Sequence, residues 1–343
     1  MTTAPVNETH RFDEAALAAW LAANVEGYQG PLQVREFMGG QSNPTYQLVT
    51  PTRAYVMRRK PPGRLVRSAH AVDREHRVIS ALHPTGFPVP RPYALCVDDS
   101  VIGTMFYVME MVEGRIIWDA SLPDSTPGER RAIHAATLRT LADLHNTDWR
   151  AIGLEGFAAP GNYMLRQIDR WTKQYGASQT ARIETMERLI EWLPRTAPEQ
   201  GRTTIIHGDY KLANMVTHPT EPRIAAVLDW ELATLGEPVA DFAYLMMPWV
   251  NGPIAEVADL KAHGIPTVAD CVAEYCRLTG RTDGLPHLDW FFAFNFFRLG
   301  AILQGIVGRV RDGTANAPDA ATMEERVPLL AEAAWKFAVK AGA

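Results

Sequence analysis

The chain has 343 residues, 47% of them hydrophobic, enough for one large domain or two lobes with a real core and too apolar for disorder. A formal net charge of -5 offers no basic excess to neutralise a phosphate backbone, which excludes nucleic acid as a partner. Cys96, Cys271 and Cys276 are odd in number and lack CxxC spacing, so neither a disulfide framework nor a zinc site is indicated.

The first twenty residues, MTTAPVNETHRFDEAALAAW, place polar and acidic groups where a signal peptide has a basic end and an apolar run; a cytoplasmic protein is expected. A helix follows over Asp13 to Asn24, with Leu17, Trp20 and Leu21 on one face. LQVREFMGG, NPTYQLVT and AYVMRRK read as three consecutive strands. SAHAVDREHRVISALH reads as a helix capped by Ser68, with Val72, Glu75, His76 and Ile79 at helical spacing, and Pro84, Pro88 and Pro90 end it. YALCVDDS and TMFYVMEMVEG complete a region of five strands and a helix that closes near Gly114.

From there the pattern is mostly helical. Thr126, Pro127 and Glu129 supply a cap, a first-turn proline and a capping-box acid. Further helices are expected over 162–175, 181–193, 239–249, 267–278, 288–309 and 323–339, with TTII and RIAAVLDW as strands between them. The most apolar stretch, from Leu288, is interrupted by Asn295, Arg298 and Gln304, which favours a core helix over a membrane span. The fold class is therefore α+β: a smaller, mainly β lobe over residues 1–112 and a larger, mainly α lobe over 113–343, with a cleft between them suited to a small ligand.

Chemistry concentrates in HGDYKLANMV, residues 207 to 216, and in VLDWE, whose aspartate stands twenty positions after the first. Each of Asp209, Asn214 and Asp229 alone is a common turn residue. Together they match the needs of phosphoryl transfer from ATP: a carboxylate to accept a hydroxyl proton, and an amide and a second carboxylate to hold magnesium by hard oxygen atoms.

These two segments resemble the catalytic and metal-binding segments of the aminoglycoside phosphotransferase and choline kinase group, which are similar to protein kinases. The resemblance implies a protein-kinase-like bilobal fold, ATP and Mg²⁺ as cofactors, Asp209 as catalytic base, and Asn214 and Asp229 as metal ligands. His207 and Asp241 would support the loop structurally. The kinase DFG triplet is replaced here by DWE. In the N-terminal lobe the template places Gly39, Gly40, Gln41 and Ser42 over the phosphates. It puts Arg58 where the family has a phosphate-gripping lysine, with Lys60 as the second candidate, and Glu75 as the partner of that cation. Glu110, Met111 and Val112 would meet the adenine through the main chain.

GGQSNPTYQL, YVMRRKPPG, AHAVDREHRVISAL, FYVMEMVEGR and VLDWELATLGEPVADFAY together look like the kinase-like domain that accompanies some acyl-CoA dehydrogenases. That resemblance implies a small-molecule hydroxyl acceptor, a 4-hydroxyacyl-CoA, and a dehydrogenase-type partner. Tyr210, Trp230, Glu231, Arg166 and Arg170 are candidate acceptor contacts, whereas Tyr244 and Trp249 are read first as core. Two alternatives stand beside this reading. One is an amino-alcohol or aminoglycoside kinase. The other is a nucleotide-binding pseudokinase, suggested by Arg58 in the lysine's place and opposed by the complete Asp209, Asn214, Asp229 set.

Overall fold

The computed structural model describes residues 2–38, 43–61, 71–159, 161–312 and 320–343. The N-terminal part contains β1 (Thr3–Ala4), α1 (Glu14–Asn24), β2 (Gln33–Phe37), β3 (Thr45–Val49), β4 (Ala54–Arg59), α2 (Val72–Leu82), β5 (Pro92–Cys96) and β6 (Phe106–Glu110). The strands form one antiparallel sheet in the order β1-β2-β3-β4-β6-β5. This corrects the expectation of five strands. Thr3 and Ala4 pair with Phe37 and Glu36, and the Glu36 carboxylate holds the segment down through the Asn7 N–H at 2.8 Å and the His10 ring at 2.7 Å. Two residues carry no alternation, so their pairing leaves no trace in the sequence.

Alternation along β4 decides where the site lies. Tyr55 and Met57 point to one face and join Leu17, Leu21 and Phe106 under α1, whose first turn is capped by Asp13 accepting from the Ala16 N–H at 2.9 Å. Val56 points to the other face, where α2 packs and where the core runs on into the helical region. Arg58, two residues further, shares that face. The proposed cap Ser68 and the loop residues Gly39, Gly40, Gln41 and Ser42 lie outside the described residues; α2 itself starts at Val72 without a side-chain cap.

The C-terminal part runs α3 (Pro127–Asn146), α4 (Tyr163–Ser178), α5 (Glu184–Thr196), β7 (Thr204–Ile206), β8 (Met215–Thr217), β9 (Ile224–Val227), β10 (Thr234–Gly236), α6 (Pro238–Leu245), α7 (Met247–Val250), α8 (Val268–Thr279), α9 (Leu288–Arg311) and α10 (Ala320–Lys340). Thr126 caps α3 through the Glu129 N–H, and Thr267 with Asp270 forms a reciprocal capping box on α8. The single helix expected over 239–249 is two helices broken at Met246. Pro248 lacks an N–H and its ring would collide with the carbonyl one turn back, so the first helix cannot run through it.

β7 pairs with β10 and β8 with β9, and these two small antiparallel sheets carry the HGD and LDWE segments at their strand ends. The chain leaving β6 is pinned to β8 by Arg115 and Thr217, which exchange backbone hydrogen bonds at 2.8 and 2.9 Å. Gly114 is required at that crossing, since a Cβ there would lie 2.3 Å from the Thr217 carbonyl oxygen. α9 is long and apolar enough to cross a membrane, but 83% of its apolar window is buried inside the protein. Each polar interruption has a partner: Asn295 donates to the Ala240 carbonyl at 3.0 Å, Gln304 to the Ser178 carbonyl at 2.8 Å, and Arg298 to the Gly208 carbonyl.

Candidate functional site

The loop after β7 is held before any side chain of the site is placed. The Asp241 carboxylate, at the start of α6, accepts the His207 N–H at 2.6 Å and the Gly208 N–H at 2.9 Å. Gly208 has φ +85°, and a Cβ on it would sit 2.8 Å from the Leu232 carbonyl oxygen, so glycine is needed on both counts. The His207 ring is fully buried; Nε2 donates to the Leu228 carbonyl at 2.9 Å and Nδ1 accepts the Asp209 N–H at 3.1 Å. Those two contacts fix one neutral tautomer and use both nitrogens, so the ring braces the loop and has no lone pair left for proton transfer.

With the backbone fixed, Asp209 points toward the cleft with its side chain 19% exposed. Asn214 Nδ2 donates to Asp209 Oδ2 at 2.7 Å and to the Asp209 carbonyl at 2.9 Å. Lys211 Nζ lies 2.9 Å from Oδ2 and 3.1 Å from Oδ1. The Tyr244 hydroxyl donates to the same carboxylate, and its phenol is pushed far above the ordinary range by burial and by Asp209. Burial alone would raise the Asp209 carboxyl. Lys211, the Tyr244 hydroxyl and Arg298 outweigh it and hold the group below its ordinary value, ionised at neutral pH.

The opposite wall comes from β4 and α2. Arg58 Nη2 donates to Asp229 Oδ1 at 2.9 Å, and its Nε lies 3.2 Å from Glu75 Oε2. Glu75 is fully buried on α2, and Tyr107 donates to its Oε2 at 3.3 Å. The two carboxylates hold the guanidinium charged, while burial, with Asp229 and Glu231 nearby, pushes the Glu75 carboxyl upward against the pull of Arg58. Arg58, and not Lys60, makes both ion pairs. β4 ends at Arg59, which points to the other face and donates to Thr104 at 2.6 Å and to the Ile102 carbonyl at 2.9 Å, while Lys60 follows with its N–H donating to the Met105 carbonyl at 3.0 Å.

Asp229 has φ +65° and ψ +62°, a left-handed backbone that Asp tolerates better than most residues. It turns the carboxylate out of the β9 strand end and into the cleft, 33% exposed. Asn214 and Asp229 are tied through the main chain by the Leu228 N–H donating to the Asn214 carbonyl at 2.8 Å. Among the described residues no three His, Cys, Asp or Glu side chains form a ready-made metal cage. Magnesium does not need one; one or two carboxylates together with substrate phosphates suffice, and the amide and carboxylate oxygens present suit it.

Two acceptor candidates are corrected by burial. Tyr210 is fully buried and its hydroxyl donates to the Thr137 carbonyl at 2.9 Å, so it anchors the loop to α3. Trp230 is also buried, with Nε1 donating to the Val227 carbonyl at 3.0 Å and its ring 4.6 Å from His207. Glu231 stays at the cleft, where Asn43 Nδ2 donates to it at 3.4 Å. Arg166, in the first turn of α4, donates to the Gly161 carbonyl, and Arg170 is exposed one turn on, close enough to Arg298 and Glu231 to feel both charges. Met111 and Val112 follow the end of β6 at Glu110 as half-buried chain at the cleft edge.

Lys211, Tyr244 and Arg298 are the residues that sequence reasoning did not place. Arg298 is buried between Trp171 and Tyr244, its guanidinium carbon 5.5 and 5.1 Å from the two rings. An arginine in the middle of an apolar helix was the available signal, because such a charge is seldom buried without a specific partner. Beside Lys211 and Tyr244 opens a cavity of about 460 Å³, lined by α3, α6, α7, α9, α10 and the catalytic loop.

Residues 33–275 match the phosphotransferase enzyme family. Acyl-CoA dehydrogenase family member 10 of Mus musculus is 42% identical over 350 residues, which cover 99% of this chain and 32% of the relative. The chain thus spans about a third of the length of that relative. A candidate aminoglycoside phosphotransferase from Ralstonia eutropha has a crystal structure 48% identical to this chain, with TM-score 0.86 and coverage of 96% and 99% of the two chains. An aminoglycoside phosphotransferase in ternary complex with AMP-PNP and hygromycin B shares the fold at 15% identity and TM-score 0.58, over 93% of this chain and 98% of the other.

Proposed function

Because the chain belongs to the phosphotransferase enzyme family, with a kinase-like fold, we propose that it transfers the γ-phosphoryl group of ATP to the hydroxyl of a 4-hydroxyacyl-CoA or a closely related hydroxy-acid derivative. The observation that carries the transfer is the ionised Asp209 carboxylate, held by Asn214, Lys211 and Tyr244, together with the Arg58–Asp229 ion pair that joins the two sides of the cleft. In that place Asp209 orients the acceptor hydroxyl and takes its proton. Lys211 shields the carboxylate and offers a cation to the transferring group. Arg58, fixed by Glu75, grips the nucleotide phosphates as a planar fork. Asn214 and Asp229 hold the magnesium ion, which supplies charge neutralisation of the phosphate oxygens. The main chain around Met111 and Val112 receives the adenine.

The acceptor reading is supported by charge. Among the described residues the cavity lining contains Lys211 and Arg326 and no Asp or Glu, so a polycationic aminoglycoside would find no carboxylate to pair with there. Arg166 and Arg170 add cations along α4, suited to the phosphates of a CoA ester. The mouse relative bears the name of an acyl-CoA dehydrogenase, and we take a dehydrogenase-type enzyme as the consumer of the phosphorylated product.

The test is magnesium-dependent ADP release with 4-hydroxydecanoyl-CoA, choline and an aminoglycoside as parallel acceptors. Release with the acyl-CoA alone supports the proposal. Release only with an amine overturns the acceptor, and no release with any acceptor overturns the proposal in this form.

A further inference from the structure

A 4-hydroxyacyl chain continues in two directions from its reacting carbon: toward the thioester and its anionic CoA, and toward an alkyl end. An enzyme acting there needs a cationic arm and an apolar arm that diverge from the base. We infer that the 460 Å³ cavity beside Lys211 and Tyr244 is the seat of the alkyl end, and that its depth selects the chain lengths phosphorylated. The inference rests on the acceptor reading above.

Six observations carry it. The catalytic end of the cavity is formed by Lys211 and Tyr244, both in contact with Asp209, so a chain lying in it starts at the reacting centre. Its walls are mostly apolar, with Leu212 from the catalytic loop, Met247 from α7, Phe296 from α9 and Leu330 from α10, and with Asn251 and Arg326 among the polar members. Among the described residues no carboxylate lines it, and the one histidine there, His134, is buried edge-on against Trp249 at 5.0 Å and held neutral by its burial. The lip carries Trp118 and Leu329, 76% and 67% exposed, an unusual outlay of large apolar side chains around one opening. The volume lies in the range of small-ligand pockets. Arg170 and Arg166 belong to α4, which does not line this cavity, leaving the cationic arm on a separate element.

Two readouts test the assignment. The first is kcat/KM for ATP-dependent phosphorylation of straight-chain 4-hydroxyacyl-CoAs of four to twelve carbons, in the wild type, Leu330→Phe and Leu329→Glu. In the wild type each added methylene should raise kcat/KM by about fourfold until the cavity is full. Leu330→Phe, which fills the interior, should move the optimum to shorter chains. Leu329→Glu, at an exposed position that does not threaten folding, should lower the long-to-short ratio by about tenfold. Identical chain-length profiles in all three proteins overturn the inference.

The second readout needs no turnover: calorimetric binding of decanoyl-CoA and butanoyl-CoA. Tighter binding of the longer ester by about tenfold or more, with the difference reduced in both variants, is the expected result. Equal affinities in the wild type overturn the cavity assignment. An enzyme that phosphorylates none of the hydroxyacyl-CoAs yet binds by chain length, sensitive to Leu329→Glu, would sink the acceptor reading and leave the cavity standing.

Discussion

Arg58 and Asp229 are 171 positions apart in the chain and 2.9 Å apart in the fold, joining the sheet of the N-terminal lobe to the strand end of the C-terminal one. The same guanidinium meets Glu75 at 3.2 Å, so a single cation serves carboxylates from both sides of the cleft.

Removing that cation should therefore act on both stability and nucleotide use. Arg58→Met leaves Glu75, 1% exposed, without a countercharge, and should cost about 3–5 kcal/mol by urea unfolding. Arg58→Lys keeps the charge but loses the planar fork that spans two carboxylates; a rise in KM for ATP of about tenfold is expected, with a smaller loss of stability. An Arg58→Met protein as stable as the wild type would show that the pairing is dispensable.

For Asp209→Asn the expected change is a fall in kcat of about two to four orders of magnitude, as for loss of a general base. Folding should be little affected, since the loop is held by Asp241 and His207. ADP release and thermal unfolding, measured on one preparation, separate the two. Unaltered turnover would remove Asp209 from the chemistry.

Asp229 allows its metal role and its backbone role to be separated. At φ +65° a side chain is strained by about 1–2 kcal/mol and glycine is not. Asp229→Gly should be more stable than Asp229→Ala by about 1 kcal/mol, while both lose magnesium-dependent nucleotide binding. Calorimetric titration of ATP with and without magnesium gives the second quantity; retained magnesium dependence in either variant would place the metal ligand elsewhere.

His134 predicts a slope of stability with pH. Burial, helped by Arg130, pushes its ring down from 6.5 to about 4. The folded state therefore holds it neutral while the unfolded chain binds a proton below about pH 6.5. Its contribution is fully present above that pH and is lost as the pH falls toward 4, a loss of about 3 kcal/mol at most. In His134→Phe the stability difference between pH 7 and pH 4.5 should be smaller than in the wild type by a large part of that amount. Equal differences would mean the ring is not buried neutral.

Much of this architecture was legible in the sequence because local rules and burial agreed. The Thr126, Pro127, Glu129 start, the helix over Asp13 to Asn24, the helix from Thr267 and the helical run from Leu288 appear as read, within the usual play of helix ends. The strand of Thr3–Ala4 escaped because pairing along an edge needs a neighbour rather than a pattern. The site was legible as motif and opaque as geometry. Asp209, Asn214 and Asp229 were visible by spacing, and Arg58 by analogy, whereas Tyr244 reaches Asp209 from a different helix and Tyr210 turns away from the site it adjoins. Side-chain direction after a tight loop depends on tertiary packing, which no local spacing encodes.

The position of Arg298 has a consequence for how this enzyme could be tuned. Its guanidinium supports the Gly208 carbonyl from α9, whose remaining faces pack on α4, α6 and α10. A methyl group gained or lost several turns away, in the interior of the helical layer, is then able to tilt the support of the loop. Inherited variation in that layer should behave as a rate control, and a survey that ranked substitutions by their distance from the HGD segment would misjudge the ones that matter most.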